Sequence, residues 1–298
     1  MSLFIEPGAG PAPIVRFIET ARQPVDIEVY YLSSRAILRV IAADHERGIQ
    51  VRVIVDARPY RMAHRLVTRE IARLRSSGAD VRTAPTRFEG GYRFDHAKYA
   101  VSGGKVLIGT ANWDYSAFHR NREYLCTSDD PRLVQALHRV FMADWTDRRA
   151  GSMVRGLSRR LVLSPGAEPK LAAILGQPGP IEIEAEELGD DPALLHAIAR
   201  KGELARILLP AKLTSTDRAN VLRLRRAGMQ VRLLEVRPIY LHAKLIVGGS
   251  YGFIGSENIS RSSLDANREV GVVMTAPTTL ASLRGEFRAD WRRANVGR

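Results

Sequence analysis

A stretch that occurs twice constrains this chain more than any single motif. Phe94-Asp95-His96-Ala97-Lys98, followed by Gly109-Thr110-Ala111-Asn112, returns as Leu241-His242-Ala243-Lys244 and Gly255-Ser256-Glu257-Asn258. His96 and His242 are 146 positions apart, and the pairs Lys98/Lys244, Gly109/Gly255, Asn112/Asn258, Glu123/Glu269 and Trp145/Trp291 keep that offset. Self-similarity on this scale predicts two structural units of one kind. A length of 298 residues gives each an ordinary domain size. The expected division is 1–150 and 151–298, with a linker at about 147–160, where Gly151, Ser152, Gly156 and five arginines cluster.

Both halves run through the same order of patterns. Glu6-Pro7-Gly8-Ala9 and Ser164-Pro165-Gly166-Ala167 each lead into an apolar helical pattern. The alternation in Val25-Asp26-Ile27-Glu28-Val29 and Ile181-Glu182-Ile183-Glu184-Ala185 has the period of a strand. Helices are expected at roughly 34–47 and 191–201, and again at about 61–76 and 215–227, the latter pair ending at Gly78 and Gly228, where glycine can take the left-handed cap. The histidine segments and the apolar runs Val106-Leu107-Ile108 and Gly252-Phe253-Ile254 read as further strands, and each half closes with a helix ending in Ala-Asp-Trp. Strands alternating with helices place each half in the α/β class as a sandwich. Trp145 and Trp291 are expected to anchor the closing helices, and Cys126, the only cysteine, to be a core residue.

The repeated residues share one chemistry. His-x-Lys on a strand puts both side chains on one face, and an imidazole beside an ammonium suits a phosphate better than a core. The Gly-x-x-Asn turns are expected to add backbone N–H groups, the hydroxyls of Thr110 and Ser256, and the carboxamides of Asn112 and Asn258. Two half-sites facing each other would cleave a phosphodiester covalently: one neutral imidazole attacks phosphorus and the other, protonated, donates to the leaving oxygen. Lys98, Lys244, Asn112 and Asn258 would hold the charge on the non-bridging oxygens. Glu123 and Glu269, each after an arginine and twenty-seven residues beyond its histidine, have two readings. They orient the imidazoles through the far ring nitrogen, or they pair with Arg122 and Arg268. The sequence shows no clustered carboxylates of the kind that hold magnesium or calcium, and no metal or other cofactor is expected.

His96-x-Lys98 with Gly109-x-x-Asn112, and His242-x-Lys244 with Gly255-Ser256-x-Asn258, resemble the paired signature motifs of the phospholipase D superfamily over essentially the whole duplicated chain. The resemblance implies two α-β-α sandwich halves related by a pseudo-twofold axis, a site between them, a phosphohistidine intermediate and no required metal. It also implies that His96 is the nucleophile and His242 the general acid. The sequence departs from the family where an acidic residue five positions after the lysine is replaced by Gly103 and Gly249.

The superfamily includes nucleases, phospholipases and phosphatidyl transferases such as cardiolipin synthases, so the substrate must be argued separately. A net charge of +13, shared between the halves, points to a polyanionic partner. Arg58, Arg61, Arg65, Arg69 and Arg73 recur every three or four residues, and the loop Thr86–Arg93 before His96 offers Tyr92 and Arg93 to stack on bases and hold phosphates. With Arg58, Arg61 and Arg65, these are the expected substrate contacts, and a monomeric nuclease in the cytoplasm is the favoured reading. No secretion signal and no apolar run of membrane-spanning length occurs in the sequence. The alternatives are a phosphatidyl transferase or phospholipase acting on anionic phospholipid, which Gly109-Thr110-Ala111-Asn112-Trp113-Asp114 favours by its likeness to cardiolipin synthases, and a non-catalytic nucleic-acid-binding module.

Overall fold

The computed structural model describes residues 1–154 and 156–296. The first half contributes β1 (Ser2–Glu6), β2 (Val25–Val29), β3 (Val51–Val55), β4 (Asp80–Thr83), β5 (Lys98–Ser102), β6 (Lys105–Gly109) and β7 (Asn121–Ser128). They form a mixed sheet in the order β1-β7-β6-β5-β2-β3-β4. The second half contributes β8 (Leu161–Ser164), β9 (Ile181–Ala185), β10 (Ala205–Pro210), β11 (Gln230–Leu234), β12 (Tyr240–Leu241), β13 (Lys244–Val247), β14 (Gly252–Gly255) and β15 (Glu269–Met274). Its sheet runs β11-β10-β9-β13-β14-β15-β8, which is the first order read from the other end. Only β12 leaves its own sheet, to pair in parallel with β7 of the first half.

Each sheet buries one face under its own helices and turns the other towards its counterpart. Ile27, Val29, Leu107 and Trp113 lie in the outer core of the first half, and Ile183, Ala185, Ile207 and Phe253 in that of the second. A third core spans both, with Ile54, Tyr99, Tyr124 and Phe141 beside Leu208, Leu241, Leu245 and Phe287. β2 and β9 are therefore buried on both faces despite their alternating sequence. Their carboxylates meet partners inside: the Tyr99 hydroxyl donates to Glu28 at 2.5 Å, and Tyr124 of the first half donates to Glu184 of the second at 2.9 Å.

Arginines stitch the halves together reciprocally. Arg122 grips Asp290 through Nε at 2.5 Å and Nη2 at 3.0 Å, and Arg268 grips Asp144 at 2.6 and 3.0 Å through the same two nitrogens. The third nitrogen of each donates to a backbone carbonyl, of Glu6 for Arg122 and of Ser164 for Arg268. Buried bidentate pairs of this kind depend on their geometry, because desolvating both ions offsets much of their attraction.

Away from the histidine segments, local expectations hold with three exceptions. The second and third helices span Arg35–Glu46 and His64–Ser76 in the first half, Pro192–Ala199 and Ser215–Arg226 in the second. Gly78 takes φ +84°, and a Cβ there would lie 2.2 Å from Cγ of His45, so conformation and space both require glycine. Trp145 stacks on Phe141 and Trp291 on Phe287, each at 5.6 Å, and Cys126 is buried, which pushes its thiol up to about 12. The first exception is that Arg58 and Arg61 precede the helix on a loop, so the basic stripe has a helical part, Arg65, Arg69 and Arg73, of which the last two pair with Glu70. The second is the expected linker at 147–160: it contains a short helix, Gly151–Val154, and buries Ala150 and Val154 in the shared core. Arg155 in that stretch lies outside the described residues. The third is that Glu168, Asp191 and Asp265, distant in sequence, converge with ligand atoms within 4.8 Å of one another, where the sequence shows no acidic cluster.

Burial, reinforced by the charge of Asp290, pushes the Glu184 carboxyl up to about 8. A raised carboxyl stabilises the fold while protonated, and that contribution is lost as pH rises through about 8. Glu184→Gln is therefore expected to flatten the fall in unfolding free energy between the ordinary carboxylate range and about pH 8 by up to about 1.4 kcal/mol per pH unit, the weight of one proton. Urea titrations of both proteins from about pH 5 to about pH 9 measure it, and parallel curves would refute it.

Candidate active site

The reciprocal contacts decide which residues meet. β12 sets Tyr240 opposite Asn121 and Leu241 opposite Arg122, so the next residue, His242, arrives beside Glu123. In the other half an isolated parallel bridge joins Asp95 to Arg268, and His96 N donates to Arg268 O at 2.8 Å, which brings His96 beside Glu269. Each histidine thus pairs with the glutamate of the opposite half. Glu269 Oε2 lies 2.9 Å from His96 Nδ1, and Glu123 Oε1 lies 2.7 Å from His242 Nδ1, close though out of line for a hydrogen bond. The alternative pairing of these glutamates with the preceding arginines does not form, because Arg122 and Arg268 are taken by Asp290 and Asp144.

Neither histidine lies within a strand as expected; each sits two residues before its strand begins, at Lys98 or Lys244. Lys98 Nζ turns back to donate to His96 O at 2.5 Å, and Lys244 Nζ does the same to His242 O at 2.7 Å. Burial pushes the Lys98 ammonium down to about 7, with Lys244 adding to the fall and Glu269 opposing it. Lys98 is also acted on by Glu123 and Glu186, so the charges of both halves work on one another in a single site. Burial likewise lowers His96, against the raising effect of Glu269. For Glu123 and Glu269 burial alone would raise the carboxyls, but the charge of the opposing histidine, joined at Glu269 by its hydrogen bond, holds both below the usual carboxylate range.

The carboxylates are themselves fixed. Thr110 Oγ1 donates to Glu123 at 2.6 Å and Asn121 Nδ2 at 3.1 Å; Ser263 Oγ and Asn267 Nδ2 donate to Glu269 at 2.8 and 3.0 Å. Thr110 and Ser256 are consequently not open to substrate. Both are fully buried, the backbone N–H of each continues the ladder to β7 or β15, and Ser256 Oγ accepts from Val270 N at 2.9 Å. Asn112 and Asn258 are partly exposed, and the buried carboxamide oxygen of each has no hydrogen-bond partner.

The outer residues form a rim on the first-half side. Tyr30 meets the His96 ring edge-on at 4.7 Å, and its hydroxyl accepts from Tyr60 N. Tyr60 and Tyr92, 54% and 71% exposed, lie near each other and Tyr60 near Phe94, making an aromatic path from solvent to His96. Arg58, Arg61, Arg65 and Arg93 are exposed, with the Arg61 guanidinium 5.0 Å over Tyr60. Arg87 and Phe88 of the same loop are structural: Arg87 pairs with Asp144, and Phe88 is buried under Arg268.

One residue of the site escapes the sequence reading. Glu186, just beyond β9, puts Oε2 2.6 Å from Lys244 Nζ and 3.4 Å from His242 Nε2. Burial would raise its carboxyl, but His242 and Lys244 hold it at about 2. Its only sequence signal is the odd carboxylate that ends the alternation Glu182, Glu184, Glu186. Asn121 and Asn267 were more legible, since Asn-Arg-Glu precedes both closing strands.

Two facing His–Glu pairs flanked by lysines, on mirrored mixed sheets, define a phospholipase D-type phosphodiester site. The family model described as "Cardiolipin synthase, PLD-like domain" matches residues 14–145 and 190–291, and the chain belongs to this phospholipase D-like family of phosphodiesterases. The mitochondrial cardiolipin hydrolase of Xenopus laevis is 33% identical over 128 residues, 43% of this chain and 57% of that protein. A cardiolipin synthase of Listeria welshimeri is 26% identical over 44% of this chain and 26% of its own. The chain spans about half the length of the cardiolipin hydrolases it matches. The phosphatidylserine synthase structure from Haemophilus influenzae superposes with a TM-score of 0.73 over 99% of this chain and 87% of that one, at 12% identity, and so shares the fold.

Thr110→Val keeps the shape but removes the hydrogen bond to Glu123. Turnover is expected to fall about tenfold, the worth of one hydrogen bond to a charged group, with KM little changed. A steady-state comparison reads this out; a rise in KM at constant kcat would place Thr110 on the substrate after all.

Proposed function

We propose that this protein cleaves or transfers the phosphodiester of an anionic phospholipid through a phosphohistidine intermediate. The observation that carries the chemistry is the crossed pairing of His96 with Glu269 and His242 with Glu123, beside Lys98 and Lys244. With Nδ1 bound to a carboxylate, a neutral imidazole presents its Nε2 lone pair outward, the form a nucleophile needs. His96 Nε2 forms the N–P bond while the P–O bond breaks, and His242 gives its Nε2 proton to the leaving oxygen. Water, or a second alcohol in a transferase, then gives a proton back to His242 as its oxygen displaces His96 from phosphorus. Lys98 and Lys244, with the amides of Asn112 and Asn258, balance charge on the non-bridging oxygens.

The lipid is favoured over nucleic acid by the relatives, named for cardiolipin, and by the family model, described as a cardiolipin synthase domain. The rim fits the same substrate: exposed Tyr60 and Tyr92 among arginines suit a headgroup interface, where an aromatic ring sits at the polar boundary and guanidinium groups meet lipid phosphates. No helix among the described residues is long and apolar enough to cross a membrane.

Cardiolipin vesicles, labelled DNA and labelled RNA offered side by side in EDTA test the proposal. Lipid turnover is expected, lost by about a thousandfold or more in His96→Ala and in His242→Ala. Cleavage of nucleic acid without lipid turnover would establish the nuclease reading in its place, and binding without turnover of any substrate would establish a non-catalytic module.

A further inference from the structure

The two half-sites match in histidine, lysine, asparagine and glutamate but differ in the residue that stands just beyond β2 and β9. Tyr30 N donates to Ala97 O at 2.9 Å just beyond β2, and Glu186 N donates to Ala243 O at 3.1 Å just beyond β9, so the two residues occupy the same place in the two halves. At His96 that place holds an aromatic ring, which contacts the imidazole edge-on and lies 5.1 Å from Lys98 Nζ. At His242 it holds a carboxylate.

The difference sorts the histidines by proton demand. His96 has one carboxylate, Glu269, at Nδ1 and none at Nε2, an arrangement that a neutral ring with its proton on Nδ1 satisfies. His242 has Glu123 2.7 Å from Nδ1 and Glu186 3.4 Å from Nε2, and only an imidazolium offers a donor to both. We propose that Glu186 is a positioning residue that keeps His242 protonated, and so fixes which of two otherwise equivalent histidines attacks phosphorus and which protonates the leaving oxygen. This rests on the phosphodiesterase reading above.

The other charged and titratable groups around His242 do not make this distinction. Glu123 on β7 has its counterpart Glu269 at His96, and Lys244 on β13 has Lys98. Asp114, which caps the helix Tyr115–His119 by accepting from Ala117 N at 2.8 Å, also acts on His242, but burial pushes its own carboxyl up. Tyr240 on β12, which donates to Glu186 Oε1 at 3.3 Å, is kept neutral by burial. The Lys244 ammonium anchors Glu186 Oε2 at 2.6 Å, so the carboxylate keeps its place while the Nε2 proton leaves. At 3.4 Å the contact with Nε2 is looser than a hydrogen bond, and a leaving oxygen that approaches more closely takes the proton in preference.

The direct readout is the NMR titration of ¹³C-labelled histidine rings, with residue 242 identified by its loss in His242→Ala. In Glu186→Gln the titration midpoint of His242 is expected to fall by about one pH unit or more, the effect of removing a neighbouring opposite charge, while that of His96, on which Glu186 acts more weakly, falls less. Glu186→Asp, which keeps the charge, is expected to titrate close to wild type. An unmoved midpoint in Glu186→Gln overturns the proposal, and so does an equal fall in Glu186→Asp, which would trace the effect to packing. Wild-type turnover of a phosphorus-labelled diester, quenched in alkaline denaturant because an N–P bond is lost in acid, is expected to leave label on His96, and label on His242 overturns the assignment of roles. The titration needs no turnover, so it reads the role of Glu186 even where the substrate assays fail, and failure of those assays alone counts against the phosphodiesterase reading.

Discussion

The reciprocal arginine grips hold the site in register. Arg122 and Arg268 each span to an aspartate at the end of the other half's closing helix and to a carbonyl at the end of the first strand of their own half. Their backbones are also where the opposite half's histidine segment docks: Leu241 faces Arg122, and Asp95 faces Arg268. One residue thus fixes both the approach of the halves and the position of the neighbouring glutamate against the incoming imidazole. A slip of one residue along that docking would turn histidine and glutamate to opposite faces. Because each arginine is buried with its aspartate, losing either partner would leave a buried charge without its main counter-ion, which costs up to about 3–5 kcal/mol. The geometry of the catalytic pairs is held by residues that touch no substrate.

Much of this was legible from one offset. The 146-residue spacing predicted mirrored units, and the sheets are mirrored strand for strand in order. It also picked out His96, Lys98, Asn112 and Glu123 with their copies. What the offset hides is which copy touches which. Equivalent positions are equally compatible with glutamate serving its own histidine or the other one, and only the docking of β12 on β7 decides. Thr110 and Ser256 misled for a related reason: a hydroxyl beside the motif reads alike whether it turns towards substrate or towards Glu123 and the Val270 amide. Glu186 was hidden because a search for repetition passes over whatever is not repeated. Its significance lies in facing Tyr30 across the pseudo-twofold, a difference that appears only once the backbones are matched.

A duplicated site has a chemical problem that its symmetry cannot solve. Attack and protonation need one neutral and one charged imidazole at the same moment, yet two identical environments would share the proton between them. Some asymmetry has to break the tie, and a bound substrate can do so only after it arrives. A carboxylate built into one half settles the assignment beforehand, when the site is still empty. The same choice has a consequence for binding. Glu123, Glu186 and Glu269 stand among two lysines and two histidines, so the interior largely neutralises itself and offers little long-range pull on an anion.

Capture then falls to the rim. Arg58, Arg61, Arg65 and Arg93 are exposed and lie outside the interior's charge balance, in a chain of net charge +13. Such a surface gathers any polyanion, so charge alone does not separate a lipid surface from nucleic acid. Shape and polarity discriminate better. Tyr60 and Tyr92 lead from solvent along Phe94 and Tyr30 to His96, a path apolar on its walls and basic at its mouth. On the proposed lipid reading, a headgroup drawn down that path would keep its acyl chains beside the exposed tyrosines and bring its diester to the histidines. The residues of this rim come from the first half, and so does the ring that stands in for Glu186, which on the proposed assignment places recognition beside the nucleophile and proton donation opposite it.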